Sequence, residues 1–302
     1  MDIVDAQLHL SLTPDAGEIM AAMDALGIQS VVLDEVWGRN ANDHATPCVE
    51  FADGAYRPLS PCAQAAALQH PERFSFLQRV TRRDPQLPCL IPILASSPGC
   101  RSLRVVIGSR EERDAFAAGA YAELLGLAQA SGLPISILSK DLGRLLPDAV
   151  RRFPDLQFVI DHCGWVRTEQ QWTDVLELAR HGNTCLKWSH AHRAFGTTGQ
   201  PGNPQDSIQR EFLRAMDAFG AERILWASDA THEESAATWG ELLSFVRDNP
   251  GLSAGDREWV LGKTARRVFR WDAATGPVTP VSLASPAANQ AKDQTAPAAA
   301  LR

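Results

Sequence analysis

Two histidines and one aspartate stand at the ends of predicted β-strands. His9 and His162 are the last residues of their strands, and Asp229 directly follows the strand predicted over Ile224–Ser228. In a parallel barrel the C-terminal ends of all strands lie on one face, so we expect these side chains to converge there. A carboxylate can take a proton from water, and imidazoles can donate hydrogen bonds to an oxyanion or bind a metal. The three residues together predict a catalytic site.

Each of these residues also has a structural interpretation. In the first strand Asp5, Gln7 and His9 alternate with apolar residues, so we expect all three to point into the barrel, where His9 could be a satisfied core histidine. Asp229 precedes a predicted helix and could cap its N-terminus. The convergence of three reactive groups on one face favours catalysis over these alternatives.

The elements that must position these residues follow a βα pattern, in which short aliphatic runs alternate with longer amphipathic ones. The predicted strands are Ile3–His9, Ser30–Leu33, Phe74–Val80, Leu103–Ile107, Pro134–Leu138, Gln157–His162, Thr184–Ser189 and Ile224–Ser228. The predicted helices include Asp15–Leu26, Glu111–Ala130, Glu169–Arg180, Ser207–Phe219 and Ala236–Asp248. Eight strands with crossovers predict an α/β fold, a single-domain (β/α)8 TIM barrel over residues 1–273.

Three segments fall outside this pattern. The connections from Gly38 to Pro71 and from His190 to Pro204 follow strand C-termini, where long loops often cover an active site. Residues 274–302 are rich in Ala, Pro, Ser, Thr and Gln and predict a disordered C-terminal tail.

The composition limits the partners. A formal net charge of −7 repels phosphate backbones and anionic lipids, and no basic cluster with interleaved aromatic residues offsets that repulsion. The N-terminus lacks the features of a secretory signal, and the six cysteines are scattered. We therefore expect a cytoplasmic protein with a small-molecule substrate and with neither a nucleic acid nor a membrane as partner.

An ordered series of motifs resembles the amidohydrolase-related barrel family, which includes lactonases of sugar and muconate metabolism and zinc-dependent decarboxylases. The resemblance covers most of residues 1–271. The motifs that carry it are Val4-Asp5-Ala6-Gln7-Leu8-His9, Arg73-Phe74, Leu103-Arg104, Asp161-His162-Cys163-Gly164, Leu186-Lys187-Trp188-Ser189, Phe219-Gly220-Ala221-Glu222-Arg223, Ser228-Asp229 and Thr264-Ala265-Arg266-Arg267-Val268-Phe269. The resemblance implies an enzyme that acts on a small substrate.

The chain departs from the family at the metal ligands. Metal-dependent relatives usually have His-x-His on the first strand and often a histidine after the fifth, whereas this chain has Gln7 and Leu138 there. An amide oxygen is a poor zinc ligand beside imidazole, and Leu138 cannot coordinate. Two possibilities follow: one divalent ion, Zn or Mn, on His9, His162 and Asp229, or a metal-free site, which we favour.

Five further residues are candidates for substrate binding: Arg104, Lys187, Gln7, Trp37 and His190. Arg104 matches an arginine that holds a substrate carboxylate in related lactonases, although an ordinary surface ion pair is the alternative. Lys187 could point inward or extend to the rim. His190, in a second His-x-His, could contact substrate or lie in a solvated loop, and Trp37 lies where a barrel loop overhangs the site.

The leading hypothesis is a hydrolase, similar to the family's lactonases, that opens a small carboxylated lactone or related cyclic ester or amide. Asp229 activates the water, and His9 and His162 donate hydrogen bonds to the oxyanion. The first alternative is a metal-dependent non-oxidative decarboxylase of an aromatic or enoic acid. The second is a barrel that binds a metabolite without converting it.

Overall fold

The structure is a computed structural model, and it describes residues 1–10, 15–36, 47–196, 203–231 and 237–272. Within these ranges the strands are β1 (Val4–Leu10), β2 (Ser30–Glu35), β3 (Cys48–Glu50), β4 (Tyr56–Pro58), β5 (Phe74–Arg79), β6 (Cys100–Ile107), β7 (Ile135–Ser139), β8 (Phe158–Ile160), β9 (Thr184–Trp188) and β10 (Ile224–Trp226). Apart from the antiparallel hairpin β3–β4, they form one parallel sheet of eight strands in chain order. The predicted strand count is confirmed.

Hydrogen bonds from the residues after β10 join the last strand to the first. The backbone N–H of Asp229 donates to the carbonyl of Gln7 at 3.0 Å. The backbone N–H of Ser228 and the indole N–H of Trp239 donate to the carboxylate of Asp5 at 2.9 and 2.8 Å. These contacts bring the sheet close to closure, and the predicted TIM barrel is confirmed.

Helices connect the barrel strands and cover their outer face. In the described part of the chain they are α1 (Ala16–Leu26), α2 (Pro61–Gln69), α3 (Leu87–Ser96), α4 (Arg110–Ala117), α5 (Ala122–Ser131), α6 (Leu142–Arg152), α7 (Glu169–Leu176), α8 (Ala191–Phe195), α9 (Pro204–Phe219), α10 (Trp239–Arg247), α11 (Ala254–Glu258) and α12 (Thr264–Val268). The start of α1 shows why the prediction there is nearly correct: Asp15 and Glu18 form a capping box. Gly27 ends the helix in the left-handed conformation.

One predicted helix is wrong. The amphipathic pattern from Glu111 to Ala130 suggests a single helix, but the structure has α4 and α5 in its place. Gly119, between them, has a φ of +82°, which an α-helix cannot accommodate. The glycine therefore turns the chain, and each half packs separately.

Two apolar cores hold the barrel together. The outer core lies between the strands and the helices and contains large side chains such as Phe74, Trp172 and Phe212. The inner core holds smaller strand residues and is completed by Phe269 and Trp271, which follow α12. The indole of Trp271 donates to the carbonyl of Pro71, just before β5, so this segment covers the N-terminal end of the barrel and leaves the C-terminal end for the site.

The first strand contains an irregularity, and because of it the predicted orientation of the strand's side chains is partly wrong. Its pairing with β2 shifts register between Asp5 and Leu8. As a result Ala6 belongs to the inner core and Leu8 to the outer one, although simple alternation puts both on the outer face. Gln7 and His9 still reach the site, but Asp5 contacts Trp239 of α10, so its predicted inward orientation is wrong.

The long connections are partly structured. The segment from Gly38 to Pro71 carries the hairpin β3–β4 and helix α2, and the segment from His190 to Pro204 carries α8. Trp37, like the rest of 37–46, lies outside the described residues, as do 197–202, 232–236 and the predicted tail 274–302. In the described ranges, none of the helices has both the length and the apolar character needed to cross a membrane.

Candidate active site

The Asp229 carboxylate is the centre of a cluster of imidazoles at the C-terminal end of the barrel. His9 Nε2 lies 2.9 Å from Oδ1, and His190 Nε2 lies 2.7 Å from Oδ2. His162 Nε2 lies 3.6 Å from Oδ2, which is too long for a hydrogen bond. All four residues are buried. The three predicted catalytic residues therefore lie together, and His190, predicted as a substrate contact or a solvated loop residue, belongs to the same cluster.

Three of these residues have the same unusual backbone conformation. His162 and His190 each lie two residues beyond a strand, β8 and β9, and Asp229 lies three residues beyond β10. Their φ angles are +52°, +53° and +53°, in the left-handed region that costs a non-glycine residue of order 1–3 kcal/mol. At each of the three places the turn changes the direction of the backbone as it leaves its strand. Strain of this kind recurs at functional sites, because the surrounding structure must be built to hold it.

The contacts of His9 define its protonation state. Nδ1 lies 3.0 Å from the backbone carbonyl of Asp34 and 3.3 Å from its carboxylate, while Nε2 faces Asp229. Both nitrogens face acceptors, so both carry protons and the ring is an imidazolium. Burial alone would lower the pKa of His9, but the charge and hydrogen bond of Asp229 and the charge of Asp34 raise it above its usual value. His9 is a buried cation between two carboxylates.

His162 has the opposite character. Its Nε2 lies 3.1 Å from Nη2 of Arg104, which can only donate, and its Nδ1 lies 2.8 Å from the hydroxyl of Ser189. The ring is thus neutral, with the proton on Nδ1. Burial and the charge of His190 hold the pKa of His162 well below its usual value. Since Nε2 accepts a hydrogen bond, the contacts do not favour the predicted role of His162 as an oxyanion donor.

Beneath the cluster, Arg104 lies within a buried layer of ion pairs. Its Nε donates to Asp161 at 2.8 Å, its Nη1 donates to Asp34, and Arg79 donates twice to Asp34 at 2.9 and 2.7 Å. The Arg104 side chain is only 2% exposed. Every nitrogen of its guanidinium already has a protein partner. This arrangement argues against the prediction that Arg104 binds a substrate carboxylate.

Lys187 points into the barrel and continues this layer. Its Nζ donates to Gln7 Oε1 at 2.8 Å and lies 2.9 Å from Asp161. Burial would raise the pKa of Asp161, but the charges of Lys187 and Arg104 lower it to about 2. The amide nitrogen of Gln7 lies 3.5 Å from His162 Nε2. Gln7 and Lys187, predicted to bind substrate, therefore contact the protein itself.

Sequence reasoning missed Asp34, Asp161 and Arg79. Asp34 and Arg79 lie near the C-terminal ends of β2 and β5, and Asp161 directly precedes His162. Charged residues in otherwise apolar strands are the signal that could have indicated them, because such residues are rarely buried without partners.

The cluster contains residue types that can bind a metal, but their ligand atoms contact other groups of the protein. His162, His190 and Asp229 each offer a ligand atom within 4.8 Å of the other two. Zinc binds imidazole through an unprotonated nitrogen. Both nitrogens of His9 face acceptors, the Nε2 lone pair of His162 faces Arg104, and Asp229 Oδ2 lies 2.7 Å from His190 Nε2. A divalent ion on this cluster, or on the predicted set His9, His162 and Asp229, would have to replace these contacts.

Comparison with solved structures shows the same fold in several proteins. A protein from Pseudomonas putida that carries the name of a 2-pyrone-4,6-dicarboxylic acid hydrolase is 20% identical, with a TM-score of 0.64 over 90% of this chain and 98% of its own. An amidohydrolase from Burkholderia multivorans with bound zinc is 18% identical, with a TM-score of 0.70 over 90% and 100%. A dihydroxybenzoic acid decarboxylase from Polaromonas sp. JS666 with bound manganese is 15% identical, with a TM-score of 0.61 over 89% and 97%.

At these identities the likeness shows the fold and not the substrate. A search by sequence among curated proteins finds no match to this chain. The family model described as Amidohydrolase matches residues 4–271, nearly the whole barrel, and members of that family are enzymes, both hydrolases and decarboxylases. This chain therefore belongs to the amidohydrolase family.

Proposed function

We propose that this enzyme opens a small lactone that bears a carboxylate, without a metal, and that Asp229 accepts the proton of the attacking water. The observation that carries the proposal is the Asp229 carboxylate held between His9 Nε2 at 2.9 Å and His190 Nε2 at 2.7 Å at the C-terminal end of the barrel. A carboxylate has about four lone-pair directions, so two imidazole contacts leave room for a water.

The strength of this base limits the substrate. Burial would raise the pKa of Asp229, but the charge of His9 and the hydrogen bonds from His190 and His9 hold it well below its usual value. A carboxylate with a depressed pKa is a weak base and contributes most when the acyl group is already reactive. A strained cyclic ester meets that requirement better than an amide, which favours lactones within the predicted class.

Cations around the base stabilise the charge that forms on the carbonyl oxygen. His9 and Arg104 are positively charged and buried, and in a site shielded from water such fixed charges act strongly on a developing oxyanion. Burial would lower the pKa of Arg104, but Asp34, Asp161 and Asp229 keep it above its usual value. These two cations thus place positive charge where a metal supplies it in other enzymes.

The reaction balances with these groups alone. Asp229 takes one proton from water as the oxygen bonds to the carbonyl carbon and the carbonyl becomes an oxyanion. When the oxyanion collapses, the ring C–O bond breaks, and the leaving alkoxide takes the proton from Asp229. The product is one hydroxy acid, and the enzyme returns to its starting state.

The test is turnover of a panel of carboxylated lactones, followed as acid release, by the wild-type protein and by two variants. Asp229→Asn removes the base and should lower kcat by about 10²–10⁴ fold, the usual contribution of a general base. Asp114→Asn, at an exposed position in α4, is the matched control and should leave kcat unchanged.

Two outcomes oppose the proposal. Equal turnover by Asp229→Asn and wild type would remove Asp229 as the base. Release of carbon dioxide from aromatic or enoic acids, with no lactone turnover, would assign the protein to the decarboxylases of its family instead.

A further inference from the structure

Two apolar residues of neighbouring barrel strands point into the C-terminal end of the barrel. Val106 of β6 lies two residues beyond Arg104, whose side chain points inward, and successive side chains of a strand alternate between its two faces. Leu138 of β7 is the register partner of Val106. The residue before each of them, Val105 or Ile137, belongs to the outer core. Val106 and Leu138 therefore form one apolar surface inside the barrel.

Solvent reaches this apolar surface although it does not reach the layer below. Val106 and Leu138 are both partly exposed, whereas Arg104 and Ser136, which lie two residues earlier in the same strands, are buried. The outer face of both strands packs against helices in the outer core. The exposed part of the two side chains must therefore face the C-terminal end of the barrel, where a ligand can contact it. Binding sites for small molecules commonly combine such apolar walls with a few polar groups.

The apolar surface lies across the barrel from Asp229. In the order of the sheet, β2 and β5 separate β1 from β6, while β8 and β9 separate β7 from β10. His9 lies in β1, and Asp229 follows β10. In a barrel of eight strands whose first and last strands meet, the pair β6–β7 is therefore opposite the pair β1–β10. A substrate whose carbonyl lies beside Asp229 extends its other side toward Val106 and Leu138.

Polar groups on both sides of the apolar surface already have partners in the protein. The hydroxyl of Thr81, which follows β5, donates to the carbonyl of Tyr56 at 2.7 Å. Both ring nitrogens of His162, which follows β8, have the contacts described above. A ligand hydroxyl that faced the apolar surface would lose its water partners and gain no hydrogen bond from the two aliphatic side chains, which costs binding free energy. A ligand methylene placed there gains binding free energy instead.

We propose that Val106 and Leu138 bind the hydrocarbon side of the substrate ring and thereby select lactones with hydrogen or alkyl groups there over lactones with hydroxyl groups. The position of the carbonyl beside Asp229 rests on the proposed function, whereas the apolar surface is defined without it. The ligand class is a cyclic carbonyl compound whose ring carries only carbon and hydrogen on the side away from the carbonyl. Polyhydroxylated lactones are therefore poor ligands, and the carboxylate of the substrate lies elsewhere on the ring.

The test is equilibrium binding, measured by NMR titration, of 4-methylcyclohexanone and 4-hydroxycyclohexanone. Both carry a ketone in place of the lactone carbonyl, neither contains an ester, and they differ in one group of similar size at the far side of the ring. Wild type should bind the methyl compound at least about fivefold more tightly, because a buried methyl group gains binding and an unpaired hydroxyl loses it. Leu138→Asn and Val106→Thr should bring the two affinities close together. Leu68→Asn, at an exposed position in α2, is the matched control and should keep the preference.

Each outcome decides one question. Equal affinity of wild type for the two ketones, no binding of the methyl compound, or a preference that both variants keep would overturn the role of the apolar surface. A methyl preference that at least one variant loses, in a protein without lactone turnover, supports this role and refutes the proposed reaction. Lactone turnover without a methyl preference overturns the role and leaves the reaction standing. If Leu138→Asn does not fold, Val106→Thr decides, and an unchanged preference in that variant counts against the proposal.

Discussion

Replacing Arg104 by Met should destabilise the protein strongly, because Arg104 is the shared partner of two buried carboxylates. It donates to Asp161 at 2.8 Å and to Asp34, and both carboxylates are fully buried. Removing one partner of a buried ion pair costs about 3–5 kcal/mol, since a charge is left without compensation. Asp34 still has Arg79 as a partner, and Asp161 still has Lys187. We therefore expect the unfolding free energy to fall by about 3 kcal/mol, near the lower end of this range.

The assay is urea unfolding at several pH values. The pKa of Asp161, about 2 in the folded protein, lies below its value near 4 in an unfolded chain. Its stabilising contribution is therefore complete above about pH 4 and is lost as the pH falls toward 2. Without Arg104 the pKa of Asp161 should be higher, so its carboxyl should stay protonated to higher pH. The difference in unfolding free energy between the variant and wild type should therefore become smaller as the pH falls.

The control is Arg110→Met, which removes an exposed ion pair with Asp114 at 3.7 Å. Such pairs contribute about 0–1 kcal/mol, so little change is expected. A loss of stability in Arg104→Met no larger than in this control, or a loss that is the same at all pH values, would show that Arg104 does not stabilise the two buried carboxylates. Arg104→Lys, which keeps one charge, covers the case in which the Met variant does not fold.

Three further predictions concern the site and the closure of the barrel. His190→Ala should lower kcat by at least about tenfold, because Asp229 loses the contact at 2.7 Å. His181→Ala, which lies before the N-terminal end of β9 whereas His190 follows its C-terminal end, should retain wild-type kcat in the same assay. Activity should fall as the pH rises through the raised pKa of His9, because the imidazolium is then lost; a pH–rate profile without an alkaline fall would contradict this role. Trp239→Phe removes a hydrogen bond of 2.8 Å to Asp5 and should lower the unfolding free energy by about 1 kcal/mol, measured by urea titration.

The sequence is a good guide to the barrel because its signals are local. Aliphatic runs place the eight strands, and the residues at strand ends place His9, His162 and Asp229 on one face. The irregularity in β1 is not visible in the sequence, because it arises from pairing with β2, and it reverses the orientation predicted for Asp5. Gly119 could have indicated the break between α4 and α5, but the helical pattern continues on both sides of it.

The partners of the charged residues were harder to predict. Arg104 and Lys187 suggest substrate contacts because each is a cation near a strand end. Their actual partners, Asp34 and Asp161, come from other strands, and only the closed barrel brings them within hydrogen-bonding distance. His190 is similar, since its contact with Asp229 depends on a left-handed turn two residues beyond β9.

The proposed reaction is hydrolysis with Asp229 as the base and with buried cations of the protein beside it. Its most direct test is kcat for a carboxylated lactone, measured on protein purified without added metal and treated with a chelator, with the metal content determined on the same sample. If Asp229 acts without a metal, we expect full activity at a metal content far below one ion per chain. Loss of activity on chelation, with recovery on addition of zinc or manganese, would contradict it.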